Sequence, residues 1–128
     1  CALPSCSFFL NIPFTDVKSL KENHIAYCLG SDYNPGSTPS GNMQFLWSLA
    51  CIKMKITPVE ALNALTINAA NALELQDELG SIKEGKRASF IITENLPSLN
   101  YIPYSFGENN FHTIFINGKI VHQNHGTF

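Results

Sequence analysis

Charge is scarce in this chain. Among 128 residues there are 8 Lys and Arg and 10 Asp and Glu, so charged residues make up 14%, against about 25% in ordinary soluble domains. The net charge is −2 and no stretch clusters Lys or Arg. That removes the electrostatic footprint on which nucleic-acid binding depends. Long apolar runs are missing too. The best candidate, Trp47 to Ile56, is interrupted by Lys53 and Lys55, so no segment is apolar for long enough to cross a bilayer. The first residues lack the basic-then-apolar layout of a secretory signal. No phosphate loop, H-E-x-x-H pair or ordered Ser-His-Asp set is present. Cys1, Cys6, Cys28 and Cys51 show no C-x-x-C spacing. Three of them sit in apolar surroundings, where a thiol acts as a small hydrophobe. Reduced cysteines and a cytoplasmic setting are the expectation.

What the chain does have is apolar mass. Hydrophobic residues make up 45% of a length that suits one domain and can bury a useful core. Combined with so little charge, this predicts apolar surface that something else covers. The chain opens on Cys1, already inside an apolar segment, and reads as a piece cut from a longer one.

Residues Cys1 to Leu10 read as a short buried strand running into a loop. Thr15 or Asp16 can cap a short helix through Val17, Leu20 and Glu22 that ends near Asn23. The compact apolar run Ile25 to Leu29 then suits a parallel strand buried on both faces. Strand, helix, strand is the repeat of an α/β fold. Residues Asn34 to Asn42 are all turn chemistry and form a loop. A largely apolar helix follows over Met43 to Ile56. The clearest local signal is Thr57-Pro58-Val59-Glu60, a cap, a first-position proline and a capping-box acid, which predicts a helix to about Leu75. Beyond Gly80 the period shortens. Ser89 to Thr93 and His112 to Ile116 read as strands, and Asn117-Gly118 is a hairpin turn into Lys119-Ile120-Val121. The boundary between the α/β part and the β part falls near Gln76 to Gly80.

Chemistry centres on Asp32. It stands at the C-terminal end of the expected Ile25–Leu29 strand, where α/β barrels carry catalytic groups. A carboxylate there can bind a metal and take a proton from activated water. It can equally be a plain Asx-turn residue. Asn34, Gly36 and Ser37 share the loop. Gly36 lets backbone approach a ligand, and the amide and hydroxyl can hydrogen-bond one, though a solvated turn needs the same residues. The histidines do not make a metal site. His122 and His125 are close in sequence but follow a hairpin strand, and zinc needs three or four converging ligands. His24 precedes the Ile25 strand, at the end opposite Asp32, and His112 begins a strand.

The segment Leu29-Gly30-Ser31-Asp32-Tyr33-Asn34-Pro35-Gly36-Ser37 resembles the imidazolonepropionase family of the amidohydrolase superfamily. The likeness continues through Thr57-Pro58-Val59-Glu60-Ala61-Leu62, Thr66-Ile67-Asn68-Ala69-Ala70 and Gly80-Ser81-Ile82-Lys83-Glu84-Gly85-Lys86. It ends with Tyr101-Ile102-Pro103-Tyr104 and Ile116-Asn117-Gly118-Lys119-Ile120-Val121, so practically the whole chain is covered. The Gly-Ser-Ile-x-x-Gly-Lys segment is common among amidohydrolases, whereas the Asp-Tyr-Asn-Pro-Gly-Ser loop and Tyr-Ile-Pro-Tyr are far more specific.

The resemblance implies the C-terminal part of a (β/α)8 barrel over residues 1–78 and the C-terminal half of a composite β-sandwich over 79–128. It implies Asp32 as ligand of one zinc or iron ion and as proton carrier, with Asn34, Gly36 and Ser37 contacting substrate. The implied reaction is hydrolysis of the cyclic amide of 4-imidazolone-5-propanoate to N-formimidoyl-L-glutamate in histidine degradation. A homodimer acting on a small molecule, with no nucleic acid and no membrane, goes with it. Two departures stand out. Ser89 replaces the usual Asp of an Ala-Asp segment, and the family's His-x-His pair and later metal-binding His have no counterpart here. The chain alone is therefore expected to be inactive and prone to associate. Competing readings are another amidohydrolase, of deaminase or deacetylase type, and a non-catalytic α/β binding module.

Overall fold

A computed structural model describes residues 1–124. Six short helices, α1 (Pro4–Phe9), α2 (Val17–Glu22), α3 (Met43–Lys53), α4 (Pro58–Leu65), α5 (Ile67–Ala72) and α6 (Tyr101–Tyr104), combine with strands β1 (Phe90–Thr93), β2 (Phe111–Ile116) and β3 (Lys119–Gln123).

The opening segment departs from the expected strand. Only Ala2 pairs, in a parallel bridge with Leu29, and Pro4 then starts α1 at a helix's first position, where its missing N–H costs nothing. The Ile25–Leu29 run is likewise reduced to that single bridge. Ala2 donates to the Cys28 carbonyl at 2.8 Å and Gly30 to the Ala2 carbonyl at 3.0 Å. Among the described residues these are the parallel-ladder bonds available to the run, and a strand needs a ladder. Between the two segments, α2 forms as expected, capped by Asp16, whose side chain accepts from the Ser19 N–H at 3.1 Å.

Helix α3 is the hub. Gln44, Leu46, Trp47, Ser48, Leu49 and Ala50 are all buried along it, as befits a helix covered on most sides. It ends at Lys53, short of the expected Ile56, because Lys55 takes a left-handed φ of 59° that no helix continues through. Ile56 still reaches the core with Ala2, Val17, Leu29, Leu46, Trp47, Ala61, Ala64 and Ile102.

The capping box forms as the motif predicts. Glu60 N–H donates to Thr57 Oγ1 at 3.2 Å, and the Glu60 carboxylate accepts from the Thr57 N–H at 2.8 Å. Lys21 reaches across from α2 to pair with Glu60. The helix that follows does not run unbroken to Leu75. It splits at Thr66, with φ −119° and ψ −90°, because the Ala64 carbonyl is taken by the Leu29 N–H at 3.0 Å and is lost to the helix ladder. Thr66 Oγ1 donates to the Leu62 carbonyl at 2.7 Å.

The C-terminal segment is a three-stranded antiparallel sheet in the order β1-β2-β3. Asn117 and Gly118, with φ of 50° and 76°, make the two-residue turn that such a hairpin favours. Phe90 stacks on Phe115 across β1 and β2 with centroids 4.6 Å apart. Ser89 Oγ accepts the Asn117 N–H at 3.1 Å, tying the start of β1 to the hairpin turn. The expected apolar surface is present: Phe8, Phe9, Ile12, Ile25, Ile82, Tyr104 and Phe106 are exposed.

Candidate functional site

The Leu29 bridge delivers the chain into Gly30, Ser31 and then Asp32, which takes a left-handed φ of 54°. Asp tolerates that region better than most residues, but it needs surrounding contacts to stay there. The loop supplies them. Asn34 Nδ2 donates to the Asp32 carbonyl at 2.8 Å and to carboxylate Oδ1 at 3.0 Å. Ser37 Oγ donates to the other carboxylate oxygen, Oδ2. The same Ser37 Oγ accepts from Asn34 Nδ2 at 2.6 Å.

The rest of Asn34 shapes the loop. Its Oδ1 accepts from the N–H groups of Gly36 at 2.9 Å and Ser37 at 3.0 Å. Its backbone exchanges two bonds of 3.1 Å with Thr38. Gly36 has little room for a side chain, since a Cβ there would lie 3.3 Å from Asn34 Oδ1. The structure thus gathers all four predicted residues, Asp32, Asn34, Gly36 and Ser37, into one cage. Asp32, Asn34 and Ser37 are half-buried and Gly36 is exposed.

Helix α1 closes one side. Ser5 Oγ donates to the Ser31 carbonyl at 3.0 Å. The Cys6 thiol is pushed above its ordinary value, first by burial and then by the adjacent Asp32 carboxylate, with Ser37 opposing. Neither residue stood out in the sequence, where Cys6 passes for a small hydrophobe. The signal that could have found them is Pro4, whose fitness for a first helical position puts Ser5 and Cys6 in an opening turn. Beside this face lies a hollow of about 220 Å³ lined by Ser5, Phe8, Phe9, Thr38, Pro39, Ser40, Asn42 and Phe45.

On the far side, α3 starts directly after the loop. Asn42 caps it through the Phe45 N–H at 3.0 Å. Gln44, the second residue of α3, fastens it to the β layer. Its Oε1 accepts from the Asn110 N–H at 3.0 Å and Nδ2 at 3.1 Å, and its Nε2 donates to Asn109 Oδ1 at 2.8 Å.

A carboxylate oxygen has about two acceptor directions, and each oxygen of Asp32 spends one on the cage. The group is held in orientation yet keeps lone pairs for a cation or proton, so its chemistry suits a single metal ligand. No group of three His, Cys, Asp or Glu side chains converges as a metal site among the described residues. His112 lies within β2 and bonds Thr113 Oγ1 at 2.7 Å. His122 stands on β3 opposite Ile114, and His125 lies outside the described residues. No described helix is long and apolar enough to cross a membrane.

Several known proteins are similar to this chain. The chain is 52% identical over 120 residues to an imidazolonepropionase of Christiangramia forsetii, covering 94% of this chain and 29% of that protein. Identity is 46% over 112 residues with the imidazolonepropionase of Caldanaerobacter subterraneus subsp. tengcongensis, covering 88% of this chain and 27% of that one. The chain thus spans less than a third of the curated relatives it matches. In fold it is similar to E. coli guanine deaminase, with a TM-score of 0.79 and 19% identity over 95% of this chain and 33% of that one. It is also similar to a zinc-bound adenosine deaminase of Xanthomonas campestris, with a TM-score of 0.80 and 24% identity over 92% of this chain and 30% of that one. The model of the amidohydrolase family matches residues 10–121, and the chain belongs to that family.

Proposed function

We propose that this chain supplies one wall of an imidazolonepropionase active site, hydrolysing the cyclic amide of 4-imidazolone-5-propanoate to N-formimidoyl-L-glutamate. The observation that carries the reading is the Asp32 cage, a carboxylate gripped at both oxygens yet with coordination capacity left. The 52% identity to an imidazolonepropionase supports the substrate. Similarity to a zinc-bound deaminase supports a metal-dependent site. In this reading residues 1–78 belong to the last part of a (β/α)8 barrel, and the described residues from 79 onward to one half of a β-sandwich.

In this reading Asp32 is one ligand of a zinc or iron ion, whose bound form would polarise the ring carbonyl and activate water. The remaining ligands come from outside this chain, which alone is inactive. Asp32 takes the proton of the attacking water. As water adds to the carbonyl carbon and the ring C–N bond breaks, Asp32 delivers that proton to the departing nitrogen. The loop from Asn34 to Ser37 forms the wall against which the substrate lies, and exposed Gly36 lets the substrate come close to backbone. The complete enzyme works in the cytoplasm as a homodimer.

The test is turnover of 4-imidazolone-5-propanoate by the complete protein, with Asp32→Asn alongside. Metal-dependent turnover that collapses in the variant is expected. Deamination of a purine or pyrimidine instead, with the imidazolone left intact, would transfer the site to the deaminase branch.

A further inference from the structure

The loop that carries Asp32 is fastened at its two ends by different parts of the chain. At its entry, Leu29 N–H donates to the Ala64 carbonyl and Gly30 N–H to the Ala2 carbonyl, each at 3.0 Å. Ser5 Oγ reaches the Ser31 carbonyl there as well. At its exit stands Thr38, which is buried and exchanges both backbone bonds with Asn34. Residues Pro39 to Asn42 then lead directly into α3.

Gln44 decides where that first turn of α3 lies. It is a buried amide in a largely apolar helix, and its side chain is spent on the β layer. Oε1 accepts from the Asn110 N–H and Nδ2, and Nε2 donates to Asn109 Oδ1. Asn110 is buried too. Its Nδ2 donates to Ser105 Oγ at 2.8 Å, and its carbonyl accepts the Glu94 N–H at 2.9 Å. Leaving such groups unpaired in the interior is costly, so the network specifies one arrangement where apolar packing would tolerate several. Phe45, the next residue, meets Phe8 of α1 edge to face with centroids 5.5 Å apart. The exit of the loop is thus tied to the sheet by a segment 66 positions away.

We propose that Gln44 is a positioning residue for the substrate wall. Through its grip on Asn109 and Asn110, the β layer sets where Asn34, Gly36 and Ser37 stand against the substrate. The proposal rests on the reading of that loop as one wall of a cyclic-amide hydrolase site. Gln44 acts through the loop and touches no reacting atom. Asp32 lies at the entry, which Ala2, Ser5 and Ala64 hold separately. Loss of Gln44 is therefore felt in substrate binding and not in metal affinity.

The experiment uses the complete protein with Gln44→Met, Asn109→Ala and Thr57→Ala. Gln44→Met keeps the length of the side chain and loses its three bonds to the β layer, and Asn109→Ala removes one of them. Thr57→Ala weakens the cap of α4 and controls for general loosening. Urea midpoints, zinc affinity by competition with a chromogenic chelator, and kcat and KM for 4-imidazolone-5-propanoate are measured on each. Misplacement by about 1 Å, caused far from the chemistry, can cost about 100-fold. Gln44→Met should lower kcat/KM by about 10- to 100-fold, mostly through a raised KM, with zinc affinity within about threefold of the parent. Asn109→Ala should raise KM by about threefold or more. Thr57→Ala should lower the urea midpoint and leave KM unchanged.

A Gln44→Met protein with a lowered midpoint but the parent's KM would overturn the proposal, because the network would then be structural only. So would zinc affinity that falls along with KM, or an equal rise of KM in Thr57→Ala. Where Gln44→Met fails to fold, Asn109→Ala decides on the same terms. Failure of the underlying reading is separate: the parent itself would then leave the imidazolone ring intact.

Discussion

Gly80 is the position where the backbone leaves least choice. Its φ is +84°, and a Cβ there would lie 2.7 Å from the Ala70 Cβ, 2.9 Å from the Ile67 Cα and 3.1 Å from the Thr66 carbonyl oxygen. None of those atoms is the end of a flexible side chain, so Gly80→Ala forces α5 away from the turn. The left-handed conformation costs Ala about 1–2 kcal/mol, and overpacking adds about 1–3 kcal/mol. The less flexible unfolded chain returns about 0.4–1 kcal/mol. The net loss is about 2–4 kcal/mol. Gly85 provides the control, since its φ is +87° but nothing lies within 4 Å of its Cβ site. Gly85→Ala should therefore cost only the backbone share, about 1 kcal/mol. Urea midpoints of the complete protein, with unchanged slopes, measure both. Equal losses in the two variants would refute the reasoning, because contact with Ala70 and Ile67 would then count for nothing.

Thr57→Ala removes one half of the α4 capping box and should cost about 1 kcal/mol in the same assay. The Glu60 carboxyl is held below its ordinary value of 4.5, by Lys21 first and by Thr57 next. A lowered folded-state value means that this stabilisation is present above the unfolded value and is lost as pH falls through the folded one. Glu60→Gln should therefore flatten the loss of stability on acidification below 4.5, and an identical acid limb in parent and variant would contradict it. Burial, with Glu60 nearby, pushes the Cys51 thiol up to about 11. At pH 8 only about one thiol in a thousand is then ionised, so iodoacetamide should spare Cys51 in the native protein and label it after urea unfolding. Mass spectrometry showing equal labelling in both states would count against that environment.

Local signals in the residues were legible where neighbours in sequence decide the outcome. Thr57, Pro58 and Glu60 complete their cap within one turn, and Asn117-Gly118 closes a hairpin whose strands adjoin it. Distant partners decided the rest. The split at Thr66 depends on the Ala64 carbonyl turning to Leu29, and the α1 turn meets the site through Ser5 and Ser31, 26 positions apart. The clasp of Gln44 on Asn110 spans 66 positions, and a lone Gln in an apolar helix announces no partner. For the site, turn chemistry marked Asp32, Asn34, Gly36 and Ser37 as one loop. The cage that Asn34 builds, by contrast, appears only when the loop is folded and its hydrogen bonds can be counted.

The central claim is that Asp32 is the metal-binding, proton-carrying carboxylate of a cyclic-amide hydrolase. It is tested most directly by following loss of the imidazolone ring's absorbance with the complete protein and with Asp32→Asn, each supplied with zinc. The account predicts turnover by the parent and a fall of about 1,000-fold or more in kcat in the variant, since both ligation and proton transfer are lost. An Asp32→Asn protein that opens the ring within about tenfold of the parent rate, well inside what proton transfer alone contributes, would contradict it.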